Sequence, residues 1–102
     1  MSLLRSCFGQ ALRAARKYRS LPQEGLEVVS SRTYISSLER GLKSPTLDKV
    51  EQIASALNLH PLSLHCYTYV RNRSAAEQRE LLRTIRREIR ELIASEKKSG
   101  AA

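Results

Sequence analysis

The chain has 102 residues, room for one small domain and an appendage. Lys and Arg total 18 against 10 Asp and Glu, a formal charge of +8 that favours anionic partners such as nucleic acid or a phospholipid surface. Hydrophobic residues at 41% and charged residues at 27% exclude a disordered chain, and no apolar run nears the ~18 residues of a membrane span.

The first six residues, Met1 to Ser6, are too broken by polar side chains for a signal peptide. Cys7 and Cys66 stand far apart without Cys-x-x-Cys spacing, which argues for a reducing cytoplasm over a disulfide framework. Aromatics at 5% with no Trp leave little for a single-strand stacking platform.

Apolar spacing predicts helices almost throughout. Phe8, Ala11, Leu12 and Ala15 form the stripe of a first helix, edged by Arg13, Arg16, Lys17 and Arg19. Pro22 stands where a second helix can begin, and Gln23 to Val28 makes a short one at best. Ser30 or Ser31 caps a third helix over 32–40, with Ile35 and Leu38 inward and Gly41 as its left-handed stop.

After the turn at Ser44-Pro45, Thr46 caps a fourth helix carrying Leu47, Val50, Ile53, Ala54 and Leu57, which Asn58 ends. His60-Pro61 opens a fifth, holding Leu62 and Leu64. The run Cys66-Tyr67-Thr68-Tyr69-Val70 is ambiguous, being β-branched and aromatic. Ser74-Ala75-Ala76-Glu77 is a capping box that starts a long helix over about 75–96, some 33 Å at ~1.5 Å per residue. Leu82, Ile85, Ile89 and Leu92 repeat along it at 3-4-3 spacing, a narrow stripe that seeks a partner helix.

The informative string is Leu21-Pro22-Gln23-Glu24, then Ser31-Arg32-Thr33-Tyr34-Ile35-Ser36, then Leu38-Glu39-Arg40-Gly41, then Ser44-Pro45-Thr46-Leu47. It resembles the phage-repressor and Cro-like helix-turn-helix family, also called the xenobiotic-response-element family, over roughly Phe8 to Leu64. The resemblance implies that the third helix enters the DNA major groove while the second crosses the phosphate backbone. By that resemblance Arg32, Thr33, Ser36 and Ser37 fall at or beside base-reading positions. Gln23 matches the residue that holds a phosphate, and Arg40 and Lys43 match the loop gripping the backbone beyond the recognition helix. Ser31 lies close to the groove, and Tyr34 offers its hydroxyl to a phosphate or serves packing alone. Arg16 and Glu39 match an ion pair between the first and third helices.

The residues support those roles independently. Arg32 suits a bidentate contact to guanine O6 and N7, and Thr33 a polar base edge or a thymine methyl. Arg40 and Lys43 bring charge to phosphates, which positions a domain without reading sequence. Two departures stand out. Pro22 occupies the place of the family's usual Ser or Thr cap, and the run from Leu26 to Ser31 is about two residues short and lacks its Gly.

Blander readings compete with some of these. Arg40 and Lys43 are also what a solvated surface carries, and the stripe of the last helix can pack back on its own domain. His60, His65 and Cys66 lack a fourth ligand at metal spacing, so His60 reads as a helix-start residue and Cys66 as a small hydrophobe. No nucleophile, base and orienting group gather around a motif, so no enzyme is expected.

The resulting expectation is an all-α chain. Residues 1–66 form a five-helix repressor-like helix-turn-helix domain, and 67–102 a connector, a C-terminal dimerisation helix and a disordered tail. Its function is that of a cytoplasmic, sequence-specific regulator of transcription without cofactor or metal. It binds double-stranded DNA as a homodimer on inverted half-sites, paired through Leu82, Ile85, Ile89 and Leu92. The alternative is an antitoxin-type module whose last helix holds a partner protein. A third, a basic coiled coil binding RNA or membranes without sequence preference, is opposed by the motif from Arg32 to Gly41.

Overall fold

Phe8, Ala11, Leu12 and Ala15 are all buried in the computed structural model, which describes residues 3–100. They line one side of α1 (Leu3–Tyr18), as their spacing requires. The helix closes through Ser20 in the left-handed region, φ 55°, with Leu21 N–H bonded back to Arg16 O at 2.9 Å. Pro22 is extended and provides no side-chain cap, and only one 3₁₀ turn follows, Gln23–Leu26. That turn delivers Leu26, fully buried, to the core.

Ser31 caps α2 (Arg32–Glu39), its Oγ accepting from Tyr34 N–H at 3.1 Å. The helix stops at Gly41, φ 73°, where a Cβ would lie 2.9 Å from Ser6 Oγ. Thr46 caps α3 (Leu47–Ala56) by accepting from Lys49 N–H at 3.1 Å, and Asn58 ends it at φ 56°. The expected face is correct for Ile53, Ala54 and Leu57 but not for Leu47, which is 89% exposed in the first turn.

His60 caps α4 (Pro61–Val70), its Nδ1 accepting from Leu62 N–H at 3.0 Å. This helix corrects the expected boundary at residue 66. Cys66 to Val70 continue it, and the first compact unit reaches Arg71. Leu64 and Thr68, one turn apart, are both buried, and the Thr68 hydroxyl donates to Leu64 O at 3.0 Å. Packing thus outweighs a β-branched propensity worth only tenths of a kcal/mol, about 0.7 at most per residue. Leu62, expected inward, is exposed.

Leu12, Leu26, Ile35, Leu38, Ile53, Leu57 and Leu64 are the large, fully buried side chains, and every element of the first unit supplies at least one. Arg19 adds a polar tie, donating to Leu57 O at 2.9 Å and Asn58 O at 3.1 Å across the end of α3. The second unit, from Asn72 onward, is built on α5 (Ala75–Ser99). Its capping box forms as the sequence predicts, with Ser74 Oγ accepting from Glu77 N–H at 3.2 Å and Glu77 Oε1 from Ser74 N–H at 2.9 Å.

The expected disordered tail from Lys97 is corrected in part, because α5 continues to Ser99 with Gly100 as its cap. Lys97 and Lys98 occupy its last turn, where positive charge complements the helix dipole. Residues 101 and 102 of that tail lie outside the described residues.

Candidate nucleic-acid interface

On α2, Ile35 and Leu38 are fully buried and turn a neighbouring arc outward. Arg32, Thr33 and Arg40 are exposed and Ser36 half-buried, and with ~100° per residue they share one side. Together with Gln23 they line a shallow cleft of about 310 Å³ between the 3₁₀ turn and α2. Ser37 does not join them. It is only 7% exposed, which corrects its expected place among the base readers. The helix ends at Gly41 with Leu42 N–H bonded to Ser37 O at 2.9 Å.

The aim of α2 is fixed by a polar knot at its C-terminal end. Glu39 accepts from Arg16 Nε at 2.7 Å and Nη2 at 2.9 Å, a bidentate pair, and from Gln23 Nε2 at 3.1 Å. Arg16 also donates from Nη1 to Leu21 O at 3.0 Å, just before the 3₁₀ turn. One arginine therefore connects α1, the turn and α2. The pair is nearly dry, with side chains 11% and 5% exposed, so the expected contact is structural in character. Its hydrogen bond to Glu39 holds the Arg16 guanidinium protonated beyond the ordinary arginine range, against the effect of burial.

Gly9 completes the seat. A Cβ there would come within 2.6 Å of the Glu39 carbonyl oxygen and nearer still to that of Leu38. The end of α2 rests directly on the backbone of α1, and only glycine allows this approach.

The charged groups fall into two sets. Arg32 pairs with Glu24 of the 3₁₀ turn at 3.0 Å, both side chains well exposed. Tyr34, half-buried, has the Lys43 ammonium 5.5 Å and the Lys49 ammonium 5.9 Å from its ring centre. Lys49 also donates to Val29 O at 2.9 Å, strapping the loop before α2 to α3.

The structure thus brings Gln23, Arg32, Thr33, Ser36 and Arg40 together, and Tyr34 with Lys43. Gln23 spends one amide donor on Glu39, and the Ser31 oxygen accepts the cap bond. Leu82, Ile85, Ile89 and Leu92 lie in the other unit, where no residue of α5 is buried. Sequence reasoning missed Glu24, Lys49 and Gly9. Lys49 carried a signal, being a cation in a first helical turn, where the dipole disfavours it.

Residues 12–64, a repressor-like set of short helices around this outward-facing α2, match the profile of the Helix-turn-helix family. The chain belongs to that family. It is a helix-turn-helix transcription regulator. This regulator is 40% identical over 72 residues to the control protein C.BamHI of Bacillus amyloliquefaciens, covering 68% of this chain and 89% of that one.

Among solved structures, it is similar to the restriction-modification controller protein C.AhdI from Aeromonas hydrophila. Identity is 34% and TM-score 0.56, over 59% of this chain and 94% of that one. The clp gene regulator ClgR from Corynebacterium glutamicum aligns at 28% identity and TM-score 0.65, over 82% and 92%. The all-α helix-turn-helix fold agrees with these relatives, and in this chain a long helix, α5, follows it. The family is one of DNA-binding regulators, not an enzyme class. Among the described residues, no helix of this regulator is long and apolar enough to cross a membrane.

Proposed function

We propose that this regulator binds double-stranded DNA sequence-specifically as a homodimer, inserting α2 into the major groove of each of two inverted half-sites. The observation that carries the reading is the shared outward side of Arg32, Thr33, Ser36 and Arg40, with Lys43 and Lys49 gathered at the Tyr34 ring of the same helix. Arg32 reads guanine, and Thr33 and Ser36 read polar edges or a thymine methyl. Arg40, Lys43 and Lys49 grip phosphates, joined by the Tyr34 and Ser31 hydroxyls and the second amide hydrogen of Gln23.

A single module buries only about 600–1,000 Å² on DNA, too little for tight specific binding. Two copies paired through Leu82, Ile85, Ile89 and Leu92 double that contact. They read half-sites one helical turn, about 10 bp, or a multiple of it apart. The similarity to a control protein and to a restriction-modification controller protein supports action as a regulator of transcription.

Selection from a randomised duplex pool, followed by footprinting of the enriched sequence, tests specificity and half-site symmetry together. A pool that never enriches overturns the reading. Ile85→Asp with Ile89→Asp tests pairing, because unpaired carboxylates in an apolar seam are strongly disfavoured. The expected product is a monomer of unchanged helical content that binds the selected duplex far more weakly. A double variant that still sediments as a dimer overturns pairing through α5. Stoichiometric co-purification of a second small protein on α5 supports the antitoxin-type alternative instead.

A further inference from the structure

The side chains of α5 sort by charge around the helix axis as well as by hydropathy. With ~100° per residue, Leu81, Leu82, Ile85, Ile89, Leu92 and Ile93 fall within about a third of the circumference. Arg79, Arg86, Arg90 and Lys97 run along one edge of that seam, Glu77 and Glu88 along the other, and Glu96 closes its C-terminal end. The helix's own ion pairs, Arg83 with Glu80 and Arg87 with Glu91, draw on residues farther from the seam. No residue of α5 is buried, and Leu82, Ile89 and Leu92 are 45%, 48% and 66% exposed. The seam has apolar area to cover and two edges of opposite sign.

We infer that α5 pairs with α5 of a second copy in parallel, in register, the basic edge of each helix lying against the acidic edge of the other. This rests on the proposed homodimer and specifies how it is built. When two identical helices pair in parallel, each helix's left edge meets its partner's right edge, so Arg79 and Arg86 face the row that carries Glu88. Antiparallel pairing matches like edges, setting the row of Arg79, Arg86, Arg90 and Lys97 against its own copy.

Each exposed ion pair contributes little, ~0–1 kcal/mol. The apolar seam is nearly symmetric end to end and cannot itself choose a direction, so the charged edges decide it. The parallel arrangement also brings both Ser74 caps to one end, with the axes some 8–10 Å apart. Both DNA-binding units then depart from the same end of the pair.

Cysteine cross-linking distinguishes the two directions. The full chain is prepared with Cys7→Ala and Cys66→Ala, adding either Leu82→Cys or Leu92→Cys, with the second variant carrying a mass tag. These positions are about 15 Å apart along the helix at ~1.5 Å per residue, well beyond the ~7 Å that a disulfide spans between Cα atoms. Each variant alone is first shown by sedimentation to dimerise and by circular dichroism to keep its helicity. The two are then mixed under subunit exchange and oxidised.

Parallel pairing gives products linking like variants, exceeding mixed products by about tenfold. Mixed products in excess, or equal amounts of both, overturn the parallel arrangement while leaving the dimer intact. Monomers throughout overturn the dimer and its direction together, whereas enrichment of DNA in the selection experiment remains a separate result. Spin labels at Arg73→Cys give a second measurement free of disulfide chemistry. A short inter-label distance agrees with parallel pairing, and one near the length of α5 overturns it.

Discussion

Glu24 holds the Arg32 guanidinium at 3.0 Å across the cleft between the 3₁₀ turn and α2, and both groups face solvent, at 47% and 62% exposed. The expected base reader is therefore pre-set by a carboxylate on the surface that would face phosphates. An exposed pair of this kind is worth ~0–1 kcal/mol, so guanine can displace it. Arg32→Ala should cost about 1–3 kcal/mol on the selected duplex and relax preference at one base pair per half-site. Glu24→Gln should act oppositely, raising affinity for random duplex about two- to fivefold as a repulsive charge leaves the DNA face. Fluorescence anisotropy on both duplexes reads these effects. Unchanged base preference in Arg32→Ala removes that residue from the reader's role.

The two lysines beside Tyr34 should behave as phosphate contacts. Lys43→Ala should weaken specific and random duplexes about equally and flatten log K against log salt by about one unit. Lys49→Ala should do the same, and should also loosen the loop held through Val29 O. A loss confined to the selected duplex assigns the lysine to a base instead.

Gly9→Ala tests the seat of α2. The added methyl meets the Leu38 and Glu39 carbonyls, which belong to backbone and cannot swing aside. Overpacking of this kind costs about 1–3 kcal/mol, or roughly 4–20 °C in Tm for a unit of this size. DNA affinity should fall as well, because the shift is passed to α2. Thermal denaturation that leaves Tm unchanged contradicts the close approach.

Acid should loosen the start of α5. The Ser74 backbone N–H, and after it the Ser74 side chain, hold the Glu77 carboxyl below the usual glutamate range. A lowered folded value means that this contribution is present above the unfolded glutamate value, ~4.3, and is lost as pH falls through the folded one. Glu77→Gln lacks the titration. The helicity difference between it and the wild type should therefore be present at pH 7 and shrink below about pH 4. A difference that stays constant across that range, followed by circular dichroism, contradicts the role of the charged capping box.

Local chemistry alone determined much of this protein. Ser31, Thr46, His60 and Ser74 mark helix starts, since a short side-chain acceptor before a periodic run meets otherwise unpaired N–H groups. Gly41 and Asn58 mark stops for equally local reasons, and the motif from Arg32 to Gly41 singles out α2 as the element proposed to face DNA. The 3.6-residue period likewise exposed the seam of α5, whose pattern is complete within one helix.

Tertiary structure decided what depends on distant neighbours. Ser37 is hydrophilic and stands beside outward positions, yet it is buried. Cys66 to Val70 are helical because Leu64 and Thr68 find the core, which no propensity scale contains. The approach of Gly9 to Leu38 and Glu39 spans some 30 residues of sequence, and the pairing of Glu24 with Arg32 joins two separate elements. Hydrogen-bonding caps act within four residues and can be read along the chain. Burial, close backbone contact and charge pairing across elements act through space, and only the folded chain brings those groups together.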